Sequence, residues 1–232
     1  MIKIRSFRLA GKYHQFDITQ CQDYIKVFSD SNQTTLVLCD GAGSSLYGGT
    51  AANIISDLLV KNLHENFEQY LYDFLPNTKR QLAQIIDNEL LKTSKKLNID
   101  SRLLATTILA ISIDKYGKFI ALHLGDGSIL WNTNNTANLQ TISSPQKGVL
   151  TNSTYLTMNC PLFYYLRFYR WTEPETQRII LLSDGMNCLS NQFTTSIFSS
   201  KNQMLLHKKM IDAKNFDDMS YVLCELNNPY ST

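Results

Sequence analysis

Histidine and cysteine are scarce in this chain: four histidines and five cysteines stand among 232 residues. The cysteines, Cys21, Cys39, Cys160, Cys188 and Cys224, are odd in number, widely scattered and never arranged as Cys-x-x-Cys. Neither a zinc knuckle nor a disulfide framework is indicated. Cys39 and Cys224 sit inside apolar runs and read as buried, reduced thiols. Excess charge is also lacking, because 22 basic residues face 20 acidic ones and no block of lysine and arginine stands out. No nucleic acid and no anionic membrane is therefore expected as a partner. No apolar run is long enough to span a bilayer, and "MIKIRSFRLAGK" lacks the apolar core of a signal peptide, so the expected compartment is the cytoplasm. Internal repeats and low-complexity linkers are missing too. Apolar segments are spread over the whole length, so residues 1–232 read as a single domain.

What the chain does have is apolar runs that stop on Asp-Gly. "LVLCDGAG" (36–43), "LHLGDGSIL" (122–130) and "IILLSDGM" (179–186) all do so. Asp-Gly alone is turn chemistry, and for any one of these pairs that reading is sufficient. Further aspartates stand at similar boundaries, Asp23 in "CQDY" and Asp217 and Asp218 in "FDDMS".

The segments around them organise as follows. "MIKIRSFRLAG", "DYIKVFSD" and "TTLVLCD" read as strands, the last apolar on successive residues and so covered on both faces. Residues 50–74 and 77–97 carry apolar side chains at helical spacing, with Pro76 between them. "ATTILAISI" and "KFIALHLGD" form a hairpin through "DKYGK", and "GSILWNT" continues the meander to the polar turn "NNTANLQ". "TYLTM" and "YYLRFYRW" read as short strands and "RIILLSDG" as a central one. A helical region then runs to about Lys214, and "MSYVLCEL" is the closing strand. Strands, two helices, strands, helix, strand is not the alternation of a doubly wound sheet. It suits an α+β fold of two antiparallel sheets flanked by helices.

Strand ends of one sheet can bring carboxylates to one rim. Oxygen ligands without histidine or thiolate suit Mg²⁺ or Mn²⁺. Several carboxylates in one place repel each other unless a cation neutralises them. Glycine after Asp40 allows a sharp turn and can offer its own carbonyl. Two such ions about 3.5–4 Å apart activate a water and clamp an in-line phosphoryl displacement.

In this order "CQDY", "LVLCDGAG", "ATTILAISI", "LHLGDGSIL", "IILLSDGM" and "DDMSYVLCEL" resemble the PP2C-like, metal-dependent protein phosphatases (the PPM family). Within it they resemble a compact bacterial branch. The resemblance runs from about Lys3 to Leu226 and implies a four-layer α-β-β-α sandwich. By position it implies that Asp23, Asp40, Asp184 and Asp217 form the catalytic two-metal centre, with the Gly41 carbonyl as a further ligand. Asp126 matches the aspartate of a weaker third ion, and Asp218 stands where many members have asparagine, in a supporting or additional metal role. The implied activity is hydrolysis of phosphoserine or phosphothreonine on proteins by a monomer using Mn²⁺ or Mg²⁺. The implied partners are a phosphorylated protein and a cognate kinase. A phosphatase of small phosphorylated molecules shares the same metal chemistry. The rival reading is a catalytically silent module that binds a protein partner or a phosphorylated ligand.

Two departures stand out. Members often carry a phosphate-gripping arginine five residues before the first aspartate, and here that place is Ile18. His14 is the nearest candidate to bind the substrate phosphate instead, and Lys12 is another. The histidine that follows the "DG" pair in eukaryotic members is Ala42 here, as is common in bacterial ones. His123, alternating with apolar residues, reads as a packed strand residue. The aromatic stretch "FYYLRFYRW" reads as strand packing rather than a ligand platform, with Arg167 or Arg170 as the side chains that could face a substrate.

Overall fold

A computed structural model describes residues 2–12, 21–133, 139–148, 154–189 and 203–226. Among the described residues ten strands run β1 (Lys3–Leu9), β2 (Asp23–Ser29), β3 (Gln33–Asp40), β4 (Ile108–Asp114), β5 (Lys118–Leu124), β6 (Ser128–Thr133), β7 (Gln140–Ser143), β8 (Arg167–Thr172), β9 (Thr176–Leu182) and β10 (Met219–Glu225). The helices are α1 (Gly48–Glu65), α2 (Phe67–Tyr72), α3 (Leu75–Leu97), α4 (Leu162–Tyr165) and α5 (Gln203–Ala213). Pairing is antiparallel throughout, in one sheet ordered β1-β10-β9-β6-β7 and another ordered β2-β3-β4-β5-β8.

The unbroken apolar run of β3 is explained by its two faces. Leu36 and Leu38 point between the sheets, where they meet Leu109, Ile111, Phe119, Ile179, Leu181 and Val222. Val37 and Cys39 point the other way, against Ile55, Leu59 and Leu63 of α1 and Leu82 and Ile86 of α3. Each fully buried leucine contributes roughly 1.5–3 kcal/mol. The outer face of the other sheet, including Ile180, Leu182, Tyr221 and Leu223, is covered by Leu206 and Met210 of α5. The result is four layers, helices, sheet, sheet, helix, as expected. Among the described residues no helix is long and apolar enough to cross a membrane.

Several local expectations need correction. The stretch 50–74 is not one helix: α1 ends at Glu65, and the side-chain amide of the following Asn66 donates to the Asn62 carbonyl 2.9 Å away. Pro76 does not separate the helices but lies in the first turn of α3, where its missing N–H has no helical partner to lose. "TYLTM" is not a strand. Only Thr154 makes a bridge, to Lys147, and the Asn159 side chain closes a turn by accepting from Leu156 N–H (2.7 Å) and donating to the Thr154 carbonyl (3.1 Å). In "YYLRFYRW" the first residues belong to α4 and the strand starts at Arg167. Most of the turn "NNTANLQ" and the start of the helical region after "SDGM" fall outside the described residues.

Candidate metal centre

The last rung of the β2–β3 ladder pairs Asp23 with Asp40. The backbone of Asp40 is clamped from β4's approach. Its N–H donates to Thr107 Oγ1 (3.0 Å), and its carbonyl accepts from Thr107 N–H (2.9 Å) and the Thr106 hydroxyl (2.8 Å). Gly41 follows, packed against the start of α1. A Cβ there would stand 2.4 Å from the Gly48 carbonyl carbon and 2.5 Å from the Gly49 nitrogen, so only glycine lets the strand turn beneath the helix.

Asp184 opens a 3₁₀ turn (Asp184–Cys188) as β9 ends, and Asp217 and Asp218 immediately precede β10. These two strand ends are stitched together, because Ser183 N–H donates to the Ser220 carbonyl (3.0 Å) and Ser220 N–H to Ser183 Oγ (2.9 Å). Asp126 occupies the β5–β6 turn and accepts a hydrogen bond from the Thr154 hydroxyl. Asp40, Asp126, Asp184 and Asp217 line one cavity of about 380 Å³, together with Ser44 and Thr107. Other cavities are as large or larger, such as one of about 440 Å³ at the opposite ends of the strands, lined by Asp30, Asp114 and Glu173.

Asp23 lies behind Asp40, fully buried, with the side chains of Ser220, Asp40 and Ser183 around its carboxylate. One oxygen of Asp184 is buried without a hydrogen-bond partner. Burial pushes the Asp23 carboxyl up to about 7, with Asp218 adding to the effect. Burial also raises Asp184 to about 6, helped by Asp126 and Asp217. Asp40 is driven well above the ordinary carboxylate range by burial and then by Asp23, Asp184 and Asp217. Leaving such groups ionised and unpaired is costly, and a divalent cation removes the cost. Among the described residues no three His, Cys, Asp or Glu side chains are drawn into a finished ligand shell. The carboxylates of Asp40, Asp126, Asp184 and Asp217 line a shared space. By chemistry they fit hard divalent cations.

The sequence profile of the family described as Protein phosphatase 2C matches residues 10–220. The chain belongs to the protein phosphatase 2C family. It is accordingly a metal-dependent protein serine/threonine phosphatase. No curated protein matches it by sequence. Solved structures share its fold. A bacterial serine phosphatase superposes with TM-score 0.73 at 16% identity, over 98% of this chain and 99% of that one. The serine/threonine phosphatase Stp1 from Staphylococcus aureus gives 0.70 at 15%, over 98% and 96%. RsbX in complex with magnesium gives 0.61 at 15%, over 97% and 96%.

Around this phosphatase 2C centre the remaining candidates fall as follows. Asp218 is buried, and its two oxygens accept from Gly11 N–H (2.7 Å) and Gln22 N–H (2.6 Å), fastening the chain on either side of residues 13–20. His14 and Ile18 lie outside the described residues. Lys12 stands over the Phe216 ring, 5.0 Å from its centroid. Arg170 is not at the cavity: it donates to the carbonyls of Leu71 (3.0 Å) and Asp73 (2.6 Å) at the end of α2. Arg167 donates to the Ser144 carbonyl (2.8 Å), so neither arginine faces this site. Sequence reasoning missed Thr107, Thr154, Ser183 and Ser220. They are common residue types whose only distinction is which aspartate the fold places them beside.

Proposed function

We propose that this phosphatase 2C removes phosphate from phosphoserine and phosphothreonine in proteins, with Asp23, Asp40, Asp184 and Asp217 and the Gly41 carbonyl holding two Mn²⁺ or Mg²⁺ ions. Asp126 is the ligand for a third, and Asp218 supports the site by anchoring Gly11 and Gln22 rather than by binding metal. The ions, when bound, activate water and offset charge on the phosphoryl oxygens. The chain's own part is to fix the acids. The β2–β3 rung sets Asp23 against Asp40, the Thr106–Thr107 clamp holds Asp40, and the Ser183–Ser220 stitch holds Asp184 near Asp217. The observation that carries this reading is the fully buried Asp23 carboxylate standing beside a second acid, Asp40, at the cavity.

We read residues 1–232 as one domain, monomeric and cytoplasmic, acting on a phosphoprotein and opposing a cognate kinase. The two sheets share one core, which supports the single domain. The test is hydrolysis of an aryl phosphate and of a phosphothreonine peptide by wild type and Asp40→Asn, each with Mn²⁺, Mg²⁺, Zn²⁺ or EDTA. Turnover with Mn²⁺ or Mg²⁺ and its loss in EDTA and in the variant are expected. Activity that survives exhaustive EDTA treatment, or that requires zinc, contradicts the assignment.

A further inference from the structure

His123 and Ser143 form a buried polar relay between the sheets that ends on the turn carrying Asp126. His123 is fully buried in β5 and Ser143 nearly so in β7. His123 Nε2 lies 2.9 Å from the Gly125 carbonyl, and Nδ1 lies 2.5 Å from Ser143 Oγ. A carbonyl only accepts, so Nε2 carries the proton. Burial lowers the imidazole to about 4, so the ring is neutral near pH 7 and Nδ1 is an acceptor. The Ser143 hydroxyl must then donate to it. Its oxygen in turn receives the Tyr169 hydroxyl (3.1 Å) and Arg167 Nη1 (3.5 Å). The direction of the whole chain follows: β8 donates to β7, β7 to His123, and His123 to Gly125.

Gly125 is a demanding place to anchor. Its φ is +113°, and a Cβ would meet the Thr107 side chain at 2.6 Å. Its carbonyl also accepts Gln146 N–H at 2.7 Å. His123 and Gln146 therefore grip one peptide oxygen directly before Asp126, while Thr154 holds the Asp126 carboxylate from the front. A side chain meant only to fill space here would be apolar. A buried imidazole that uses both nitrogens needs a reason.

We propose that His123 is a positioning residue for Asp126, holding the Gly125–Asp126 turn so that this carboxylate faces the cavity in a cation-binding pose. The proposal rests on the reading of Asp126 as a cation ligand, and its test separates the two. The variants are His123→Leu, which cannot donate, and His123→Gln, whose amide nitrogen reaches about as far as Nε2. Ser143→Ala, which keeps the imidazole, guards against a misfolded leucine variant. In metal-free protein, amide exchange at Asp126 and Gly127 should rise roughly tenfold in His123→Leu, with β3 and β4 unchanged. His123→Gln should stay near wild type and Ser143→Ala should fall between. By calorimetry, the weakest Mn²⁺ site should lose about tenfold in affinity in His123→Leu and recover in His123→Gln. Adding His123→Leu to Asp126→Asn should weaken Mn²⁺ no further, because both act through one carboxylate. Unchanged exchange at the turn, uniform acceleration across the sheet, or additive losses in the double variant would each overturn the proposal. If wild type and Asp126→Asn bind Mn²⁺ alike, the third-ion reading fails. The exchange result alone then decides whether His123 holds the turn.

Discussion

Asp23 and Asp40 face each other across the final rung of an antiparallel ladder, a fully buried acid beside a second acid at the rim of the cavity. Like charges directly opposite on a sheet destabilise it. The fold accepts that cost where the site needs it.

Replacing one of the pair exposes the cost. Metal-free Asp40→Asn should be more stable than metal-free wild type by about 1–3 kcal/mol, the usual scale of single substitutions. That corresponds to roughly 2–4 °C in melting temperature per kcal/mol for a chain of this size. The same variant should bind Mn²⁺ poorly and lose most of its activity. Thermal melts in EDTA, with calorimetry in Mn²⁺, check both halves. A metal-free variant less stable than wild type would contradict the repulsion argument.

The pH dependence of stability has a definite sign. Asp23 at about 7, Asp184 at about 6 and the raised Asp40 all bind protons more tightly folded than unfolded. The unfolded reference is about 3.9. Metal-free stability is therefore highest below that value and falls as pH rises through about 6 for Asp184 and about 7 for Asp23, with Asp40 acting in the same direction. With saturating Mn²⁺ the trend should reverse, since the cation binds the deprotonated acids. Melting temperatures at pH 5 and pH 8, in EDTA and in Mn²⁺, should show opposite slopes.

Gly185 is a steric hinge of the centre. A Cβ there would come 1.9 Å from the Asp218 carbonyl oxygen, so the turn after Asp184 or the entry to β10 must move. Overpacking of this kind costs about 1–3 kcal/mol. Gly185→Ala should lower the melting temperature and weaken Mn²⁺ binding together, because Asp184 is the preceding residue. A stable variant with wild-type Mn²⁺ affinity would show that the turn yields without moving the acid.

No lysine or arginine lines the cavity among the described residues. Ile18, outside those residues, holds the position where relatives often have arginine. A charge-assisted hydrogen bond contributes roughly 1.5–3 kcal/mol. Ile18→Arg should thus lower KM for an aryl phosphate roughly tenfold with kcat little changed. His14→Ala should raise KM only if that histidine grips the phosphate. A lower melting temperature without a KM gain would mean that Ile18 packs in the core.

The sequence makes most of the strands and the chemistry of their ends legible. Two-sided apolar runs such as 36–39 suit a strand covered on both faces. Each "DG" reports a turn locally, and six motifs in order identify the family. It misread "TYLTM" because alternation over a few residues cannot register that the Asn159 side chain closes a turn instead. It offered Arg167 and Arg170 to a substrate because charge is visible in a sequence and direction is not. Which acids share the cavity, that Asp23 is fully buried, and that Asp218 accepts from Gly11 and Gln22 are visible in the folded chain alone. The physical reason is range. Turn and strand preferences are set by neighbours along the chain, whereas Asp23 meets Asp218, and His123 meets Ser143, only after two sheets have closed on one core.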